Sequence, residues 1–143
     1  MTVVAGIEET DATALVRLAA QEARYRDAPL IVVTGFSSDN GMGAPAARPV
    51  ATLRTPDDNE AVAAALLERE VIAALGEDAT TVAQRTVRGA TGRGVVNVAR
   101  QEAADLIVIA ARRGPVLTGP AGQQYVLRHA PCHVLVMPAG GAG

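Results

Sequence analysis

The sequence predicts a doubly wound α/β domain, a five-stranded parallel sheet with helices on both faces. Three observations predict it. Short apolar runs, "TVVAGIE" (2–8), "LIVVTGF" (30–36), "DLIVIA" (105–110) and "HVLVMP" (133–138), lack clear alternation, as strands buried on both faces do. Stretches of helical spacing separate them. Aromatics are only 2% of the chain, Tyr25, Phe36 and Tyr125, so the core must be aliphatic, which suits helices packed closely on a Val/Ile-rich sheet.

Each element has a local cause. After 2–8, Thr10 or Asp11 can cap a helix whose Leu15, Leu18, Ala19, Glu22 and Ala23 fall at helical spacing, and Pro29 ends it. Strand 30–36 leads into a glycine- and proline-bearing loop, 37–54, whose length suits a lid over a site or a tolerated insertion. The clearest helix is 55–76. Thr55 caps it, Pro56 takes the first helical position, Asp57, Asp58 and Glu60 complement the dipole, and Gly76 closes it. "TTVAQRTVR" (80–88) alternates and is more polar, which suits an edge strand. A helix over 89–103, strand 105–110, a loop, a helix over 121–130 and strand 133–138 complete the order, with "AGGAG" (139–143) as a loose tail. Strand–helix alternation of this kind gives a parallel sheet with right-handed crossovers. Ligands of such sheets bind at the carboxyl ends of the strands, where the winding reverses.

Composition narrows the function. At 143 residues the chain has room for one domain, 1–138, and needs no staple to hold it. All 13 basic residues are arginines, scattered along a chain of net charge −2, so no concentrated basic surface for nucleic acid is expected. Cys132 is the single cysteine, which excludes an internal disulfide and a cysteine-based zinc site. No apolar run approaches the ~18 residues of a membrane span, and no leader opens the chain, so a cytoplasmic location is expected.

Two stretches carry a family resemblance. "VVAGIEETDATALVRLAAQEARYRDAPLIVVTGF" resembles the amino-terminal half of a universal stress protein, and "ADLIVIAARRG…VLRHAPCHVLVMP" resembles its carboxyl-terminal half. The likeness covers about residues 1–36 and 60–138. It implies a Rossmann-like strand order 3-2-1-4-5 and a homodimer through the last strand, Val134, Leu135, Val136 and Met137, an apolar edge that invites pairing.

The family divides into members that bind ATP and members that do not. Binders are similar in carrying an aspartate after the first strand and G-x2-G-x9-G-[S/T] after the fourth. Here the aspartate place falls on Glu8, the next two positions are Glu9 and Thr10, and the backbone position that faces an adenine falls on Gly35. Aligned from "DLIVIA", the first two glycines become Ala110 and Arg113. Aligned back from "VLRHAPC", the closing pair becomes Pro120-Ala121. The loop between these anchors is shorter than a binder's. Starting instead at Ala111 makes Gly114 second but puts the closing pair on Gln124-Tyr125. A phosphate cradle needs inward backbone N–H groups and glycine's freedom of approach. Arg113 puts a side chain there, Pro120 removes a donor, and Glu8 and Glu9 add negative charge.

The resemblance therefore implies a non-catalytic regulatory or interaction protein with no cofactor, in which ATP is not bound in the usual mode. Its partner is another protein or a small anionic ligand. The candidate ligand positions are Glu8, Gly35, Ala110, Arg112, Arg113, Gly114, Gly119 and Gly122. Arg112 and Arg113 suit an anion near Pro120, or else pair with Glu8 or Glu9. Two alternatives stay open: a regulator that holds ATP with Mg by a rearranged loop, and an enzyme using Cys132 or the Glu8/Arg113 cleft. "GATGRG" (89–94) reads as a strand-to-helix turn away from the reversal point, not a phosphate loop. His129, Cys132 and His133 read as structural, with no metal expected.

Overall fold

A computed structural model of the chain describes residues 1–8, 11–37, 56–111 and 121–138. The elements run β1 Val3–Gly6, α1 Ala12–Arg26, β2 Leu30–Phe36, α2 Pro56–Leu75, a 3-10 turn Gly76–Thr81, β3 Ala83–Arg88, α3 Thr91–Gln101, β4 Leu106–Ala110, α4 Ala121–His129 and β5 His133–Met137. The five strands form one sheet in the order β3-β2-β1-β4-β5. Every pairing is parallel, with Val4 opposite Ile31 on one side and Ile107 on the other. The doubly wound class and the strand order are as expected, and β3 is an edge strand as its polarity predicts.

The period of two along each strand splits the apolar residues between the two faces. Val3, Ala5, Ile7, Leu30, Val32, Leu106 and Val108 pack with Leu15, Val16 and Ala19 of α1 and with Leu67 and Val71 of α2. Val4, Ile31, Val33, Ile107 and Ile109 pack with Val95, Val96 and Val98 of α3 and with Val126 of α4. Burying each such side chain is worth roughly 1.5–3 kcal/mol, so the central strands alone secure the sheet to both helical layers.

Three details differ from the sequence reading. The strand expected to start at residue 80 begins at Ala83, because the Thr80 and Thr81 hydroxyls donate to the carbonyls of Glu77 and Asp78 and hold a 3-10 turn. These hydroxyls compete with a strand ladder for the backbone, as short polar side chains do. Gly76, at φ +57, ends α2 as expected but hands over to that turn. At the start of α1, Asp11 stands in the left-handed region at φ 61 and its side chain makes no capping hydrogen bond. Thr10, Thr55 and most of the predicted 37–54 loop lie outside the described residues.

Candidate functional site

The carboxyl ends of β1 and β4 lie side by side at the point where the sheet reverses its winding, and the starts of α1, α3 and α4 meet above them. Between these parts is a cavity of about 300 Å³. Leu15, Val95, Ile109 and Val126 give it apolar walls, and Glu8, Asp11, Thr91 and Gln123 give it polar groups. Backbone at Gly6, Gly92, Ala110, Ala111 and Gly122 supplies the rest. A shallower groove of about 370 Å³ lies at the opposite end of the molecule, beside Pro29, Leu30 and Leu75. Despite its volume it is the weaker candidate, because ligands of doubly wound sheets sit at the carboxyl ends of the strands.

Close backbone approach builds the cavity. A Cβ on Gly92 would stand 2.6 Å from the carbonyl oxygen of Gly122, so the first turns of α3 and α4 touch only because residue 92 has no side chain. Gly122 itself faces outward into the cleft, where the nearest atom to a Cβ would be Oε1 of Glu8 at 4.0 Å. The amino end of α3 has no side-chain cap, since its N-cap residue is Ala90. Thr91 and Gly92, in its first turn, line the cavity. Uncapped N–H groups of a first turn need water or a ligand as partner.

Hydrogen bonds fix the walls. The Gly35 N–H donates to Oγ1 of Thr91 at 2.9 Å, leaving the threonine hydroxyl hydrogen able to point elsewhere. The Thr34 hydroxyl, itself buried, donates to the Ile7 carbonyl at 3.0 Å and holds the chain just before Glu8. The N–H of Ala111 donates to the Met137 carbonyl at 2.7 Å, tying the segment after β4 to the edge strand. Glu8 is exposed at the mouth.

Of the residues singled out from the sequence, Glu8, Ala110 and Gly122 come together around this cavity. Gly35 does not line it. A Cβ there would fall 2.2 Å from the Gly89 carbonyl oxygen, and the residue braces α3 from behind. Arg112, Arg113, Gly114 and Gly119 lie outside the described residues. "GATGRG" is a strand-to-helix turn as expected, but its expected place away from the reversal point needs correction: Thr91 and Gly92, with Val95 just after the segment, line the cavity. The reason is the crossover. Helix α3 returns from edge strand β3 across β2 toward β1, and a Cβ on Gly6 would meet Cγ2 of Val95 at 2.5 Å. Helical glycines at 92 and 94 were the available signal for such an approach.

Two other candidates can be placed. Cys132 is half-buried, and burial, reinforced by the carboxylate of Asp105, pushes its thiol above the ordinary value. Such a thiol is a poor nucleophile, because the thiolate is the reactive form. Among the described residues no group of three or more His, Cys, Asp or Glu is placed to hold a metal ion. At the sheet edge, β5 pairs with β4 alone among the described residues. Val134, Leu135 and Val136 are half-buried there, while Met137 is buried in its own chain's core. Among the described residues no helix is long and apolar enough to cross a membrane.

Comparison with known proteins bears on this arrangement. The crystal structure of a universal stress protein in complex with cAMP is similar at 25% identity and a TM-score of 0.68, covering 97% of each chain. Universal stress protein UspA from Lactobacillus plantarum is similar at 20% identity and a TM-score of 0.69, over 95% of this chain and 96% of that one. A universal stress protein from Archaeoglobus fulgidus in complex with dAMP shares the fold at 19% identity and a TM-score of 0.53, over 95% and 96%. A search of the curated proteins gives no match. The profile of the universal stress protein family matches residues 1–138. With the reversed-order sheet and its two matching halves, this chain belongs to the universal stress protein family.

Proposed function

We propose that the chain is a non-catalytic regulator that reads a small ligand in the cleft between β1 and β4. The ligand is of nucleoside or nucleoside-monophosphate size, and ATP is not held by the family's glycine loop. One observation carries this reading: the cavity is about 300 Å³, and its described wall offers the exposed carboxylate of Glu8 and no cationic side chain. That volume is at the small end of the range of roughly 300–1,000 Å³ for small-molecule sites. Carboxylates accept hydrogen bonds from sugar hydroxyls and exocyclic amines, and Leu15, Val95, Ile109 and Val126 offer apolar cover to a ring. A triphosphate laid beside Glu8 would meet like charge.

The described residues fit the base and sugar of a nucleotide better than its phosphate chain. The open face of Gly122 and the start of α3, which lacks a side-chain cap, suit a single anionic group beside Glu8. The similar protein solved with cAMP supports a monophosphate-sized ligand. The replacements Ala110, Arg113 and Pro120 in the glycine motif support the exclusion of a triphosphate cradle. The raised thiol of Cys132 argues against thiol chemistry. The working form in this reading is a homodimer, paired along the open edge of β5.

Thermal unfolding titrated with adenosine, AMP, cAMP and ATP with Mg²⁺ tests the ligand. Saturation by adenosine, AMP or cAMP should raise the transition by several degrees, since about 2.7 kcal/mol is gained at ~100 times the dissociation constant. The shift should shrink in Glu8→Gln, and ATP should give less. A larger shift with ATP than with AMP, or none with any of the four at millimolar concentration, overturns the reading. Sedimentation of the same protein tests the assembly. One species at twice the chain's 14.6 kDa is expected, and lysine at Val134 should return it to a monomer. A wild-type monomer at that concentration would refute the edge pairing.

A further inference from the structure

The two helical layers differ in charge. Residues 56–81, α2 and its 3-10 turn, carry seven carboxylates against Arg69 alone. Helices α3 and α4 carry Arg93, Arg100 and Arg128 and not one aspartate or glutamate. All three arginines are exposed. Among the described residues none of them has a carboxylate within ion-pair distance, whereas Arg26, Arg69 and Arg85 elsewhere on the surface each have one. The nearest carboxylates in sequence are already engaged: Glu102 by Arg85, and Asp105 by the N–H of Thr2.

Two of the three guanidiniums are also held in place. Arg93 lies over the ring of Tyr125, 5.2 Å from its centroid, and Arg100 donates to the His129 carbonyl at 3.1 Å. Tyr125 and His129, one helical turn apart, stack at 4.4 Å between them. The result is a pre-ordered ridge of positive charge along the groove between α3 and α4. Arg93 and Arg100 are separated by two helical turns, roughly 10 Å. Pre-ordered side chains lose less entropy when they bind, so such a surface binds better than mobile arginines would.

We infer that the α3–α4 face docks a carboxylate-rich segment of a protein partner, through Arg93, Arg100 and Arg128. Charge complementarity names the occupant, and the spacing suits carboxylates three residues apart in an extended segment. A nucleic acid is disfavoured on two grounds. The Tyr125 ring is half-buried and already engaged by Arg93 and His129, which makes it a poor stacking platform for a base. The chain's net charge of −2, concentrated on the α2 side, repels a long polyanion beyond the ridge. This surface lies outside the cleft, so its occupation is separate from the ligand reading above.

Fluorescence anisotropy of a labelled oligoglutamate peptide with the full chain tests the inference. Binding at low salt should weaken as salt is raised. Arg128→Gln should lose roughly fivefold in affinity, and the triple replacement of Arg93, Arg100 and Arg128 by glutamine roughly a hundredfold, at the upper end for exposed charge pairs. Arg24→Gln, on α1, should change nothing. Arg128 makes no contact whose loss would unfold the chain, so its single variant stays interpretable if the triple variant does not fold. Absence of peptide binding at low salt, or equal binding by Arg128→Gln and by the triple variant, overturns the proposal. Tighter binding of single-stranded DNA or of phosphatidylserine vesicles, lost in the same variants, overturns the choice of partner.

Discussion

The two faces of the sheet are built by different means. On the α1–α2 side, leucines do the packing: Leu15 and Leu67 are 1% exposed, and side chains cross-link the helices, as where the Thr13 hydroxyl donates to Glu70 at 2.6 Å. On the α3–α4 side, valines pack and glycines let backbones touch, at Gly6, Gly92 and Gly94. The first arrangement leaves a shallow groove at the amino ends of the strands. The second, with Leu15 and Asp11 of α1, bounds the cavity at the helix starts, and among the described residues the arginines on its outer face have no carboxylate partner. In the proposed reading the α1–α2 layer supplies most of the bulk stability, and the α3–α4 layer carries most of the surface on which a ligand or partner acts.

The largest effect expected from breaking this contrast comes from the filled side. Leu67→Ala removes a fully buried side chain and should cost about 2–5 kcal/mol in urea unfolding, as leucine truncations in tight cores do. Affinity for the cleft ligand should stay unchanged. A comparable loss of binding would mean that the two layers do not divide their labour. Gly92→Ala should have the smaller stability cost, about 1–3 kcal/mol, because α3 and α4 must part to relieve a 2.6 Å contact. Its mark should appear in the cleft, as a roughly tenfold loss of ligand affinity, equivalent to about 1.4 kcal/mol. Full affinity with an altered melting temperature would show that the glycine contact serves packing alone.

The fold was legible because its determinants are local and repeated. Runs such as "LIVVTGF" can be buried on both faces only in a parallel sheet covered by helices, and their order admits few topologies. The lining of the candidate cavity was legible where it follows from topology, at Glu8, Ala110 and Gly122. It was not legible where it depends on approach distances. The helical glycines of "GATGRG" signal a close approach but not its partner, because Gly92 and Gly122 are brought together by crossovers over the sheet. Gly35 shows a second such contact: the position assigned by alignment to face a ligand seats Gly89 and Thr91 and does not line the cavity. The boundary at Ala83 was missed because threonine has two uses, as a strand former and as a hydroxyl that bonds back to its own turn.

The clamp on Tyr125 also gives the protein an optical property. The chain has no tryptophan and two tyrosines. Tyr25 stands 74% exposed on α1, far along the chain from the cleft, and reports little but solvent. Tyr125 contacts both Arg93 and His129 and stands directly beside Val126, which lines the cavity. Native emission should therefore divide into a background from the exposed tyrosine and a variable signal from the tyrosine adjoining the cavity wall. Filling of the cleft or of the arginine ridge can be followed on the unlabelled protein, with Tyr25→Phe removing the background.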